Sequence, residues 1–331
     1  MKQAVSDREL IEALREGGEI AGIAGLSRRP YRYATSSPLE EVRVRLDGGR
    51  EVALILKDAT RERLLGDAPT VKPPFLYEPR RELETYRRLI GPAGIGPRFF
   101  GAGAHDDPPR YWLLIEKVPG VELWQVGELE VWEQVATWLA GFHAGFEHRL
   151  EDVLADNPYL LRHSEAWFRS WAERARAALA RSTDQRAAAL DRALDRYEEA
   201  AHSLAALPRA FVHGELYPSN VIVVRRSGSP RVCPVDWEMA AIGPGLIDLA
   251  ALAGGWDEEQ RGRLVTAYLE GYSGPGYAAH DPGALADDLA RCRLHLALQW
   301  LGWSTDWRPP SEHAHDWLAE ALSLARQLGL A

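Results

Sequence analysis

The stretch "HGELYPSN", His213 to Asn220, carries an acid, Glu215, and an amide, Asn220, with four residues between them and the β-branched run "VIVV" directly behind. That pair suits phosphoryl transfer, in which an acid takes the proton of an acceptor hydroxyl and an amide oxygen holds magnesium. Downstream, "VDWE" sets Asp236 at the end of a second short strand, where its carboxylate can share the same ion. Magnesium keeps waters and takes few protein ligands, so two side chains plus a nucleotide's phosphates suffice. Upstream, Lys57 ends the apolar run "VALILK", where an ammonium needs a partner. Glu82, on the helix predicted for "EPRRELETYRRLIG", supplies one, and the lysine then reaches the α and β phosphates. Glu84 lies about 200° further round that helix, so the two acids cannot both face inward. Glu116 and Val118, in "IEKVPG", close another apolar strand, where a backbone carbonyl and amide suit the edge of a base.

Each feature has a plainer reading alone: an exposed strand-end lysine, a solvated helix acid, a loop acid, a turn cap. Taken together and in order, they supply the cationic grip, the magnesium ligands, the group that orients the hydroxyl and the base-reading hinge. His213, two residues before the acid, is expected to fix the loop's backbone. Asp248, in "GPGLIDLAAL", is expected to cap a helix or brace the same loop. His143, on the apolar face of "LAGFHAGF", reads as a satisfied core histidine. Trp300, Trp303 and Trp307 read as a core stripe rather than a substrate platform. His313 and His315 are too isolated for a metal site.

The elements that must hold these residues follow from patterning. Ser6 and Glu9 form a capping box ahead of a short helix ending at Gly17–Gly18. "VRVRL", "DGG" and "VALILK" read as a hairpin, and Leu83, Tyr86, Leu89 and Ile90 as the apolar side of the next helix. "YWLLIEKVPG" is an apolar strand, with connections around a short strand before it. After Gly120 the texture turns helical: "VWEQVATWLAGFHAGFEHRL" is a core helix, and residues 164–206 make two helices broken near Ser182–Asp184. "VIVV" and "RVCPV" form a second small hairpin, and the chain from about 246 onward is mainly helical, interrupted at "GYSGPGYAAHDPG".

A chain of 331 residues with 46% hydrophobic and 26% charged content suits a globular protein of two lobes. A net charge of −9 argues against binding nucleic acid through its phosphates. Cys233 and Cys292 stand far apart and read as packed thiols of a reducing cytosol. The charged amino terminus has no apolar core of a signal peptide, and no run approaches a membrane span. The expected location is cytoplasmic, with no membrane partner. Of the 39 basic residues only Lys2, Lys57, Lys72 and Lys117 are lysines, which singles out any lysine that is buried.

"VALILK", "RRELETYRRL", "YWLLIEKVPG", "LAGFHAGF", "HGELYPSN", "VDWE" and "GPGLIDLAAL" resemble, in order and across roughly residues 35–255, the aminoglycoside phosphotransferase/choline kinase-like family. The resemblance implies an α+β, protein-kinase-like fold of two lobes. Residues 1–118 would form a small β-rich nucleotide-binding lobe, and residues 119–331 a mainly helical lobe for catalysis and substrate binding. It implies magnesium-assisted transfer of the γ-phosphoryl of ATP or GTP to a hydroxyl of an antibiotic, amino alcohol, sugar or similar metabolite. By the same resemblance Lys57 and Glu82 grip the phosphates, Glu116 to Val118 form the hinge, Glu215 is the catalytic acid, and Asn220 and Asp236 hold Mg2+. The chain departs from the family pattern twice: Glu215 stands where the family has Asp, and no G-x-G-x-x-G follows Gly25. One methylene moves a carboxylate by about 1.5 Å, and a misplacement of that order can slow a reaction by about 10²-fold. The alternative is therefore a catalytically silent nucleotide-binding regulator.

Overall fold

The computed structural model describes residues 4–18, 20–32, 36–274, 276, 282–303 and 315–331. The first helix, Asp7–Glu16, starts at the expected capping box: Ser6 Oγ accepts the Glu9 amide and Glu9 Oε2 accepts the Ser6 amide. Its Leu10 and Leu14 cover one face of a five-stranded antiparallel sheet. The strands are β1 (Ile23–Pro30), β2 (Leu39–Leu46), β3 (Glu51–Asp58), β4 (Phe99–Asp106) and β5 (Pro109–Glu116), in the order β1-β2-β3-β5-β4. Val42, Val44, Leu54, Leu56, Trp112 and Leu114 meet that helix. Side chains alternate along a strand, so Lys57, Ile55 and, opposite Ile55, Glu41 point from the other face. Leu113 and Ile115 share that face and pack with Leu83 and Tyr86 of the chain that follows β3.

The hairpin β2–β3 lies where the alternation predicts it, but β1 falls in a segment to which the sequence reading assigned no strand. "IAGLSRRP" carries no alternation a strand needs; β1 is an edge strand held by charge, Arg28 Nε to Glu40 at 2.7 Å and Arg29 Nη2 to Glu41 at 2.8 Å. The helix bearing Glu82 begins as predicted, runs as an α-helix over Pro79–Glu84 and widens to a π-helix over Thr85–Ile90.

Beyond Gly120 helices dominate: Leu129–Glu147, Glu165–Leu179, Ala187–Ala193, Tyr197–Ala206, Leu246–Leu252, Glu258–Gly271, Pro282–Gly302 and Trp317–Gln327. Residues 164–206 thus hold three α-helical pieces rather than two, with the break after Leu179 close to its expected place. Trp132, Val135, Leu139, Phe142 and Phe146 are all buried along the predicted core helix. Two small sheets complete this half. β6 (Val121–Glu122), β9 (Val221–Val224) and β10 (Arg231–Pro234) form one; β7 (Leu161–Arg162), β8 (Arg209–Val212) and β11 (Ala241–Pro244) form the other. The 213–220 loop runs from β8 into β9, and the Trp237–Met239 turn joins β10 to β11, so the loop and Asp236 sit at neighbouring strand ends. Trp300 stacks on Trp317 and Trp303 on Trp171, both half-buried; Trp307 and His313 lie outside the described residues. Cys233 and Cys292 are buried free thiols. No helix among the described residues is long and apolar enough to cross a membrane.

Candidate active site

Lys57 is the point where the two halves meet. Its Nζ lies 2.7 Å from Glu82 Oε2, on the adjoining helix, and 2.5 Å from Asp236 Oδ1, across the cleft. Glu84 turns outward to Arg87 and Arg88, as its helical phase requires. Burial works to strip the Lys57 proton, but the charges of Asp236, Glu82 and Glu238 prevail and hold the ammonium well above its usual range. One lysine cannot serve buried Glu82 and part-exposed Asp236 equally. Against its partial desolvation, Asp236 is held below the usual carboxylate range by Lys57, whereas Glu82 is raised by burial and by its acidic neighbours, against the pull of Lys57.

Asp236 itself is left-handed, with φ 66° and ψ 62°, the one non-glycine of positive φ among the described residues. The Val235 amide donates to the Asn220 carbonyl at 2.9 Å, which ties the loop's end to the residue before Asp236. The Asn220 amide group donates to the Glu215 carbonyl at 3.0 Å, which leaves its oxygen for a cation. Among the described residues no three His, Cys, Asp or Glu side chains converge as a metal cage. An amide oxygen and a carboxylate nevertheless fit magnesium, which completes its shell with phosphates and water.

Glu215 is half-buried in the same cleft, and its carboxyl is pushed up to about 8 by burial and by the charges of Glu238 and Asp236. The loop that presents it is pinned from below. Asp248 Oδ2 accepts the His213 amide at 2.7 Å and Oδ1 the Gly214 amide at 2.9 Å. His143 bridges Asp248 at 3.3 Å and the Tyr268 hydroxyl at 2.8 Å, a satisfied core histidine as expected. The His213 ring bonds the Val235 carbonyl at 2.9 Å and the Glu215 amide at 3.3 Å, so it shapes the loop. Gly214 has φ 84°, and a Cβ there would lie 2.3 Å from the Met239 carbonyl oxygen; only glycine fits.

Residues 116–118 are anchored to both halves through consecutive side chains. The Glu116 carboxylate forks onto Arg231 at 2.8 and 2.6 Å, and its amide donates to the Arg98 carbonyl. Lys117 reaches back to Glu41 at 2.6 Å, and buried Glu41 also takes Arg29 and Arg43, which with Lys117 hold its carboxyl down to about 2. Val118 is buried, and its carbonyl accepts the Gly120 amide. These ion pairs tie β1, β2 and Lys117 together in the region that lacks a G-x-G-x-x-G.

Three residues here escaped the sequence reading. Lys72, from the segment between β3 and the Glu82 helix, bonds Glu238 at 2.6 Å. Arg81 donates to the Glu238 carbonyl at 2.6 Å and the Tyr159 carbonyl at 2.9 Å, fastening the Glu82 helix to the helical half. The rarity of lysine was the one available signal for Lys72; Arg81 and Glu238 gave none.

A model of the phosphotransferase enzyme family matches residues 40–282, well over half of the chain. Viomycin phosphotransferase of Streptomyces vinaceus is 32% identical over 190 residues, which span 54% of this chain and 60% of that protein. Among solved structures, choline kinase from Cryptosporidium parvum Iowa II superposes with a TM-score of 0.60 at 14% identity, covering 98% of this chain and 94% of that one. A GDP complex of wild-type aminoglycoside 2′-phosphotransferase-IIIa gives 0.58 at 13% identity, covering 97% of each chain. At such identities the likeness establishes the fold, an α+β arrangement of kinase type with an antiparallel sheet in its N-terminal region and helices in its C-terminal region. The family match spans the sheet from residue 40 in β2 onward, the Glu215 loop and Asp236 alike, and the chain belongs to the phosphotransferase enzyme family.

Proposed function

We propose that this chain is a small-molecule O-phosphotransferase that moves the γ-phosphoryl of ATP or GTP to the hydroxyl of an antibiotic, amino alcohol, sugar or similar metabolite in the cytoplasm. Residues 1–118 form its nucleotide lobe and residues 119–331 its catalytic and acceptor lobe. The observation that carries the reading is the convergence of Glu82 and Asp236 on Lys57, three residues from three separate elements. A GDP complex among the structural neighbours supports a nucleotide co-substrate.

Lys57, steadied by Glu82, grips the phosphates, and the backbone from Glu116 to Val118 meets the base. Glu82 and Asp236 share Lys57, so a bound cation would relieve the crowding of carboxylates there. Asn220 and Asp236 would hold magnesium, which would offset the charge that develops on the nucleotide's phosphates. Glu215 faces the acceptor. The hydroxyl oxygen forms a bond to the γ-phosphorus, the bond to the β-phosphate oxygen breaks, and the hydroxyl proton passes to the Glu215 carboxylate. Burial, Glu238 and Asp236 push Glu215 up to about 8, and a bound cation would lower it and free the carboxylate to take that proton.

The test is thermal stabilisation by Mg-ATP and Mg-GTP, followed by nucleotide consumption across aminoglycosides, viomycin-type peptides, macrolides, choline-like alcohols, sugars and homoserine. Stabilisation with consumption on at least one acceptor is the expected result. Stabilisation with no consumption on any of them would favour a silent nucleotide-binding protein, and no stabilisation would refute nucleotide binding.

A further inference from the structure

Beside the cleft lies a pocket with no part in the transfer itself. Its volume is about 330 Å³, and Lys72, Pro73, Pro74, Arg174, Arg181 and Gly302 line it. Three of those residues are cationic, and no acid among the described residues lines the pocket. In a chain of net charge −9 that imbalance is local and does not follow from composition. A space of this size suits a small molecule or one end of a larger one.

Two contacts tie the pocket to the catalytic cleft. Lys72, in the segment between β3 and the Glu82 helix, bonds Glu238 at 2.6 Å, two residues beyond Asp236. Gly302 closes the helix Pro282–Gly302, and Trp300 in its last turn donates to the Tyr217 hydroxyl at 2.6 Å, two residues beyond Glu215. The pocket therefore sits on the Glu215 side of the cleft.

Lys72 is paired with Glu238, so Arg174 is the group with charge to spare. It projects from the helix Glu165–Leu179. A Cβ at Gly302 would lie 2.9 Å from the Arg174 Cβ and from the Ala175 amide nitrogen, so glycine lets the two helices close at this point. Arg174 Nε and Nη2 donate to the Gly302 and Trp303 carbonyls, each at 2.9 Å. Its guanidinium lies 5.7 Å from the centre of the Phe75 ring and 5.6 Å from that of Trp171. Phe75 is 46% exposed and is held edge-on by Trp167 and Trp171. Capping a helix end accounts for the two carbonyl bonds, but not for the charge. No carboxylate among the described residues pairs with Arg174, and burial alone lowers its guanidinium from the usual range. A guanidinium already fixed by two bonds and two rings loses little freedom on taking an anion, and its planar fork suits carboxylate and phosphate alike.

We propose that this pocket receives an anionic group of the acceptor, a carboxylate or a phosphate ester, with Arg174 as its principal contact. The acceptor is then an alcohol that carries an acid at its other end, with its hydroxyl toward Glu215, rather than a polycation. This inference rests on the phosphotransferase reading and narrows its acceptor class.

Four-carbon alcohols that end in a carboxylate, a phosphate, a methyl or an ammonium group test it, through thermal shift beside Mg-ADP and consumption of Mg-ATP or Mg-GTP. The carboxylate or the phosphate alcohol should bind or react at least about 10-fold better than the other two, and whichever leads identifies the acid. The preference should narrow as salt is raised. Arg174→Gln should abolish it while Mg-ADP still stabilises the protein, and Arg174→Lys, which keeps the charge, should retain part of it. The salt series on wild type carries the test if Arg174→Gln does not fold. Equal or better use of the methyl or ammonium alcohol, a response to none of the four, or a preference unmoved by salt or by folded Arg174→Gln would overturn the proposal. With Mg-ADP still stabilising wild type, each of those outcomes leaves the phosphotransferase reading intact. Wild-type protein that no Mg-nucleotide stabilises would overturn both.

Discussion

Two buried carboxylate sites flank the 213–220 loop, and they are built on opposite plans. Beneath the loop, Asp248 accepts two backbone amides and leans on His143, which leans on Tyr268; each group has its partner. In the cleft, Glu82 and Asp236 divide one lysine, Glu238 claims another, and Glu215 is left to hold a proton. The difference separates the work of holding from the work of receiving. A closed network fixes one geometry, whereas a cleft in which two carboxylates share one lysine is stabilised by a cation that binds there.

The strongest challenge to that contrast is Asp236→Ala. Turnover should fall to background, and Mg-nucleotide should no longer raise the melting temperature, while the ligand-free protein melts no lower because Lys57 keeps Glu82. A metal-dependent shift that survives the substitution would show that the cleft does not receive its cation through Asp236. Asp248→Ala should behave in reverse. It strands the His213 and Gly214 amides in the interior, so denaturant unfolding of the ligand-free protein should lose roughly 2–5 kcal/mol. If Asp236→Ala proves the more destabilising of the two without ligand, the division between brace and receptor fails.

A smaller effect sharpens the picture of the helical interior. His163 and His295 are buried, with no hydrogen-bond partner at either ring nitrogen. Burial pushes His163 down to about 4, with Asp248 opposing and Arg209 and Arg81 assisting, and pushes His295 well below its usual range, with His163 assisting. Both folded-state values lie below the unfolded value near 6.5, so stability is complete above about pH 6.5 and is lost as pH falls toward 4, where the unfolded chain takes protons that the fold refuses. His295→Leu, beside Phe168, should lessen that decline by about 1–2 kcal/mol between pH 6.5 and 4.5, read from urea melts at each pH. An undiminished decline would mean that acid acts elsewhere.

Much of this molecule could be read before its shape was known, because the informative residues are punctuated. "VALILK", "HGELYPSN" and "VDWE" place a charge or an amide at the end of an apolar run, and such a residue is either solvated or paired. The phase of Glu82 against Glu84 followed from helix geometry alone, and Lys57 indeed chooses Glu82. What stayed hidden was decided by contacts between distant segments. β1 is held as a strand by Arg28 and Arg29 against Glu40 and Glu41, which no local pattern announces. Lys72 finds Glu238, and Arg231 finds Glu116, across more than a hundred residues of chain. The π turn over Thr85–Ile90 looks in sequence like any other amphipathic helix.

Glu215 is the longer acid in the position where the resemblance puts Asp. The decisive measurement is kcat at saturating Mg-nucleotide, on whichever acceptor the screen yields, for wild type, Glu215→Asp and Glu215→Gln. A working carboxylate predicts a loss of about 10²–10⁴-fold for Glu215→Gln, with Mg-nucleotide binding unchanged and Glu215→Asp still measurably active. Full turnover by Glu215→Gln would contradict it.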